Sequence, residues 1–255
     1  MRPEEAYERL RALGFGEESA GVLFEHFSDA EKRGKLGHGF SRVAWLETLA
    51  GVRPDAVPEK TASAPGFDRW EGRGALGYLT LAAICADLEA APPEPARVVV
   101  AADCFPTGML GHWVRRLARA GMVAVLTATS PARLAHPAGG APLVGTNPLA
   151  IGIPATDGEP VVVDVSMGEV THGDVLAGLA PPERLVPFGG DQAHKSFALA
   201  LGLQLLVDSQ IGGGYGAVLV ALRSDPVDVS RFGDARLPGR QRYVPPRGSD
   251  PLEGG

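Results

Sequence analysis

Cysteine is scarce in this chain: Cys85 and Cys104 are the only two among 255 residues. Two thiols cannot build a disulfide framework, which suits a reducing compartment better than a secreted one. Neither sits in a CxxC pair, the usual zinc pattern, so no metal is expected. Basic charge is also short. The net charge of −6 gives nucleic acid or an anionic membrane surface nothing to attract. Long apolar runs are missing as well. The longest, Phe197 to Val207, is broken by Gly202 and Gln204 and is too short to cross a bilayer. The first residues, Met1-Arg2-Pro3-Glu4-Glu5, are polar and acidic, unlike a secretory signal. These absences predict a cytoplasmic protein with neither nucleic-acid nor membrane partners. A glycine fingerprint is lacking too. Residues 101–108 contain only Gly108, so no GxGxxG follows the first buried strand and a standard dinucleotide cradle is excluded there. Gly212-Gly213-Gly214 precedes the last strand with no helix behind it, and reads as a turn.

What is present is an ordinary globular composition, 45% hydrophobic and 21% charged, near the upper size for one core. Pro3, the acids after it and Gly14 bracket a helix over 3–14. Ala20, Leu23, Phe24 and Phe27 give helical spacing over 17–32, and a third helix is expected over 42–49. Residues 51–68 show no period and read as a connecting segment. Helices follow over 76–88, 108–120 and 193–208. Strands are expected at 97–102, 122–126, 149–154, 160–165 and 217–222. From Arg231 the chain is rich in Arg, Pro, Gly and Asp, and disorder is expected. Strands interleaved with helices predict an α/β layered fold. Three regions are expected: 1–58 helical, 59–222 an α/β core, and 223–255 a tail.

Several segments carry chemistry. Gly145-Thr146-Asn147-Pro148 is a tight polar turn, and Val161-Val162-Val163-Asp164-Val165-Ser166 is a strand ending in a carboxylate. An acid at a buried strand end is costly unless it meets a partner or a ligand. A capped turn is an equal reading, but Thr146 and Asn147 can also orient a small substrate. In Gly37-His38-Gly39-Phe40-Ser41-Arg42, His38 titrates near neutral pH, and Arg42 can clamp a carboxylate with two parallel bonds. A helix cap with a surface arginine is the alternative. Asp174, in Thr171-His172-Gly173-Asp174, can orient His38 or simply cap a helix. Lys195, at the start of the long apolar helix, can meet an anionic ligand or solvent.

Together, GHGFSR at 37–42, GTNPLAIGIP at 145–154, VVVDVS at 161–166 and GGDQAHKSFALALGLQLL at 189–206 resemble the malate/L-lactate/L-sulfolactate dehydrogenase family in sequence and order. That family includes ureidoglycolate dehydrogenase and the cyclic-imine carboxylate reductases, and the resemblance covers most of residues 5–222. It implies a non-Rossmann α/β fold, a mostly antiparallel mixed sheet flanked by helices, and a homodimer using NAD or NADP. By the same resemblance His38 is the proton donor, Arg42 binds the substrate carboxylate, Thr146 contacts the substrate, and Asp174 pairs with the histidine. Asp164, Val165 and Ser166 form the cofactor-side strand end. Pro106, Thr107, Gly108, Met109 and Leu110 form the cofactor-contacting loop. The departures are Gly37 where the family has serine, Pro106 where it has histidine, His194-Lys195-Ser196 for its Tyr-Lys-Gly, and a shortened bridge between Asp174 and Gly189. The leading expectation is hydride transfer to or from a small 2-oxo, 2-hydroxy or cyclic 2-imino acid. The departures motivate a second one: a divergent member without dehydrogenase activity, acting as a binding protein or in different chemistry.

Overall fold

The computed structural model describes residues 1–233 and 235–240. The N-terminal helices are α1 (Pro3–Ala12), α2 (Glu17–Lys32) and α3 (Ser41–Thr48). Pro3 pre-sets the first turn of α1, and Glu4 and Glu5 face its positive end. Gly14, at φ +93°, turns the chain after that helix. Ala20, Leu23 and Phe27 of α2 are buried, as their spacing predicts.

The sheet has seven strands: β1 (Glu59–Ala64), β2 (Phe67–Glu71), β3 (Ala96–Ala102), β4 (Met122–Ala128), β5 (Leu149–Ile153), β6 (Val161–Val165) and β7 (Gly216–Arg223). Their order is β1-β2-β3-β7-β4-β5-β6, and only β2–β3 is parallel. The fold is therefore the expected α/β arrangement, a mostly antiparallel mixed sheet flanked by helices. The remaining helices are α4 (Gly77–Ala90), α5 (Leu110–Arg119), α6 (His172–Leu176) and α7 (Ala193–Ile211). Side chains alternate along each strand. Val99 and Ala101 of β3, with Leu219 and Ala221 of β7, enter the main core under α4, α5 and the N-terminal helices. Val100 and Val218 face the other way, onto Val207 of α7.

Three expectations need correction. Residues 51–68 are not all connection, because β1 and the start of β2 lie there. The β2 pattern is masked by a buried acid. Asp68 and Trp70 share the inner face, and Asp68 is held by Arg97 at 2.9 Å, so polarity does not alternate with burial. The helix expected from Gly108 starts at Leu110, since Gly108 has φ +70° and belongs to the preceding loop. The tail packs where it is described. Pro238 accepts a hydrogen bond from the Val162 amide, and Arg115 donates to the Gly239 carbonyl at 3.0 Å. The expected disorder of residues 241–255 lies outside the described residues. The N-terminal helices and the sheet share one hydrophobic core, with Leu10, Leu23 and Val43 in the same cluster as Leu126 and Leu219. No helix among the described residues is long and apolar enough to cross a membrane.

Candidate active site

A cavity of about 170 Å³ opens where the loop carrying His38, the loop before α5, the ends of β4 and β6, the Thr146 turn and α6 converge. His38, Arg42, Thr146, Asp174, Asp164, Ser166 and Pro106 to Met109 all line it. Segments more than a hundred residues apart in sequence therefore meet at one place. Leu110 is fully buried in the core instead. Val165 points to the other face of its strand and is exposed. Lys195 is exposed on the first turn of α7 and does not reach the cavity.

The His38 loop is shaped by close approaches. A Cβ on Gly37 would lie 2.4 Å from Asp174 Oδ1, 2.6 Å from the Asp174 amide nitrogen and 2.7 Å from the Gly173 carbonyl carbon. A Cβ on Gly173 would lie 2.2 Å from the Gly37 carbonyl oxygen. Backbone thus rests on backbone, and α6 occupies the space that a serine at 37 would need. A capping box starts α6. The Asp174 carboxylate accepts from the Thr171 amide at 2.9 Å and from its hydroxyl at 2.7 Å, while the Asp174 amide donates back to Thr171. Asp174 therefore acts on His38 through its charge, with no hydrogen bond between them among the described residues.

Burial, and then the charge of Arg42, push the His38 imidazole down to about 3, against the pull of Asp174. Its Nδ1 is buried without a partner among the described residues. The histidine is therefore neutral near pH 7. Protonating it in the folded chain is expensive, whereas in the unfolded chain it ionises near pH 6.5. Stability contributed by the neutral ring is thus lost as pH falls from about 6.5 toward 3. Denaturant unfolding at stepped pH should show stability falling steeply over that window in the wild type and less steeply in His38→Asn. Equal slopes would show that the ring is not held neutral.

Arg42 is buried, with its guanidinium 4.7 Å from the Trp45 ring centroid, its Nε without a partner, and no ion pair among the described residues. An unpaired buried guanidinium is costly unless an anion joins it. Asp164, at the end of β6, accepts the Gly111 amide at 2.8 Å, and burial raises its carboxyl above the usual range. Asn147 does not serve the cavity. Its amide donates to the Ala200 carbonyl and to Gln204, both at 3.0 Å, and its oxygen accepts from Ser130 at 3.2 Å, so it fixes the turn that presents Thr146.

Several contributors are not evident from motifs. His26, fully buried on α2, accepts the Met109 amide at 3.0 Å on Nε2. The Trp113 indole donates to the Thr107 carbonyl at 3.0 Å. Gly108 fits between His26 and Tyr78, where an added Cβ would be within 2.4 Å of both. Together these set the loop before α5. Tyr78, Trp45, Lys35, Ser130, Arg133 and His172 also line the cavity. The helical spacing of α2 revealed a buried stripe but not the use made of one polar member. The two thiols are uninvolved: burial pushes both up to about 12.

The family model described as malate/L-lactate dehydrogenase matches residues 4–180. A Δ1-pyrroline-2-carboxylate/Δ1-piperideine-2-carboxylate reductase from Pseudomonas putida is 26% identical over 291 aligned positions, covering 90% of this chain and 84% of that one. A (2R)-3-sulfolactate dehydrogenase (NADP(+)) from Chromohalobacter salexigens is 33% identical over 175 positions, 66% of this chain and 51% of that one. The solved Δ1-piperideine-2-carboxylate reductase from Pseudomonas syringae shares the fold, with a TM-score of 0.78 at 24% identity over 93% of this chain and 89% of that one. On the extent of the family match and the agreement in fold, the chain belongs to the malate/L-lactate dehydrogenase family.

Proposed function

We propose that this protein is an NAD(P)-dependent oxidoreductase that moves hydride to or from C2 of a small 2-oxo or 2-hydroxy acid, or of a cyclic 2-imino acid. The observation that carries this reading is the meeting of His38 and the unpaired Arg42 in one cavity with the half-buried strand-end carboxylate of Asp164. The residues suit a nicotinamide nucleotide. Asp164 and Ser166 can take hydroxyl groups, the Pro106–Met109 backbone forms one wall, and the Ser130 hydroxyl is buried without a partner. Bound NADH or NADPH supplies the hydride, and the oxidised form accepts it. Leu110, Val165 and Lys195 are left out of this role because none lines the cavity.

Arg42 holds the substrate carboxylate and Thr146 fixes its orientation. In reduction, C2 gains the hydride, the C2–oxygen (or C2–nitrogen) π bond breaks, and the heteroatom takes a proton from His38. Burial, and then the Arg42 charge, hold His38 neutral. A bound carboxylate offsets that charge, so protonating His38 becomes less costly as substrate docks, although burial still opposes it. Asp174 stabilises the imidazolium through space. In oxidation the neutral ring accepts the hydroxyl proton directly. Most of the remaining acceleration comes from holding C2 against the nicotinamide.

The protein is further proposed to be cytoplasmic and to work as a homodimer. Leu199, Leu201, Leu205 and Leu206 on α7 are exposed together with nearby Phe188, more apolar surface than one helix usually leaves in water. The test is turnover of a panel of 2-oxo acids and cyclic imines with NADH and NADPH, followed at 340 nm, with sedimentation of the same sample. Turnover with at least one substrate and a dimer are expected. Failure to bind either nucleotide at millimolar concentration overturns the enzymatic reading, and a monomer at assay concentration overturns the dimer.

A further inference from the structure

The cavity holds more positive charge than one carboxylate needs. Arg133, in the loop after β4, lines it beside Arg42, and among the described residues neither forms an ion pair. The two carboxylates in the same cavity are already engaged. Asp174 caps α6 through Thr171, and Asp164 accepts the Gly111 amide. Two guanidinium groups sharing a partly buried space repel each other unless anionic oxygens lie between them. The electrostatics place Arg133 on the Arg42 side. Burial and then Arg42 lower its basicity, against a pull from Tyr215, and His172, which lines the same cavity, is driven down to about 4 by burial, Arg133 and Arg42. Asp164 instead feels Lys35 and Arg115.

We infer that Arg133 binds a second anionic group, a carboxylate or sulfonate, on the substrate that Arg42 holds by its first carboxylate. The preferred substrates are then dianionic 2-oxo or 2-hydroxy acids rather than monoanionic or cyclic ones. A guanidinium suits such a group because its planar donors match two oxygens at once. The inference rests on the hydride-transfer reading only for the identity of the substrate; the anion site stands by itself.

Two measurements on the full chain test it. The first compares oxaloacetate with 2-oxobutyrate, four-carbon acids that differ in the second charge. Arg133→Met should lower kcat/KM for oxaloacetate by about 10- to 100-fold, mostly through KM. It should leave 2-oxobutyrate and the KM for NAD(P)H within about threefold. Arg133→Lys should recover part of the loss. Equal losses for both acids, or a raised nucleotide KM, overturn the inference and assign Arg133 to the fold or to a cofactor phosphate. The second is calorimetry without nucleotide. Malonate should bind the wild type about tenfold or more tighter than acetate, and Arg133→Met should abolish that margin. If wild type and variant bind malonate alike, the inference fails whatever the activity. If the margin is present but no substrate turns over, the oxidoreductase reading fails and the anion site stands.

Discussion

His38→Asn lowers kcat by about 10²–10⁴-fold, the usual contribution of a positioned proton donor, and leaves the KM for NAD(P)H within about threefold. The ring lines the cavity beside Arg42, and its Nδ1 is buried with no partner among the described residues. No hydrogen bond to the Nδ1 atom ties the ring to the described residues, so the structure around it does not depend on one. Asparagine fills much of the same space, so the cavity should keep its shape. The loss should appear in kcat and kcat/KM alike, because the proton moves only as the hydride does. The wild-type profile should also show a group titrating higher in the substrate complex than in the free enzyme, since the carboxylate relieves the pressure from Arg42. A variant with wild-type kcat would remove His38 from the mechanism.

The second large effect runs against the family pattern. Gly37→Ser introduces the serine that the family resemblance implies at this position, and a gain of activity would be the naive forecast. Here the added carbon would sit 2.6 Å from the Asp174 amide nitrogen and 2.7 Å from the Gly173 carbonyl carbon. Those are backbone atoms that cannot swing aside, so α6 must lift. Overpacking of this kind costs about 1–3 kcal/mol. Lifting α6 also carries Asp174 and His172 away from the cavity. Activity should fall at least about tenfold, with faster amide exchange across residues 171–177. Unchanged exchange with raised turnover would show that the contact between Gly37 and Gly173 is not what shapes the site.

Much of this could be read from residues alone, for physical reasons that differ by element. The buried stripe of α2 and the β-branched run of β3 carry their periods openly. His38, Arg42, Thr146 and Asp164 sit in short motifs whose residue types already suggest chemistry, and the fold gathers them. The edge strand β1, Glu-Lys-Thr-Ala-Ser-Ala, is almost wholly exposed, so no burial pattern marks it. β2 hides behind the buried Asp68. His26 and Arg133 have no local signature at all. Their use depends on which distant backbone or cation they meet, and that is decided by packing. Asn147 shows the reverse: its motif was legible, but its amide was already spoken for by α7.

That amide has a mechanical consequence. The turn bearing Thr146 is tethered through Asn147 to Ala200 and Gln204, on a helix that lies across the opposite side of the sheet from α5. Cutting the tether strands a buried polar group, at a cost of about 1–3 kcal/mol. The helix therefore cannot slide without dragging the turn. A push on its outward leucines is felt as a shift of the threonine against the ligand, so whatever grips the back of this molecule also holds a lever on its front.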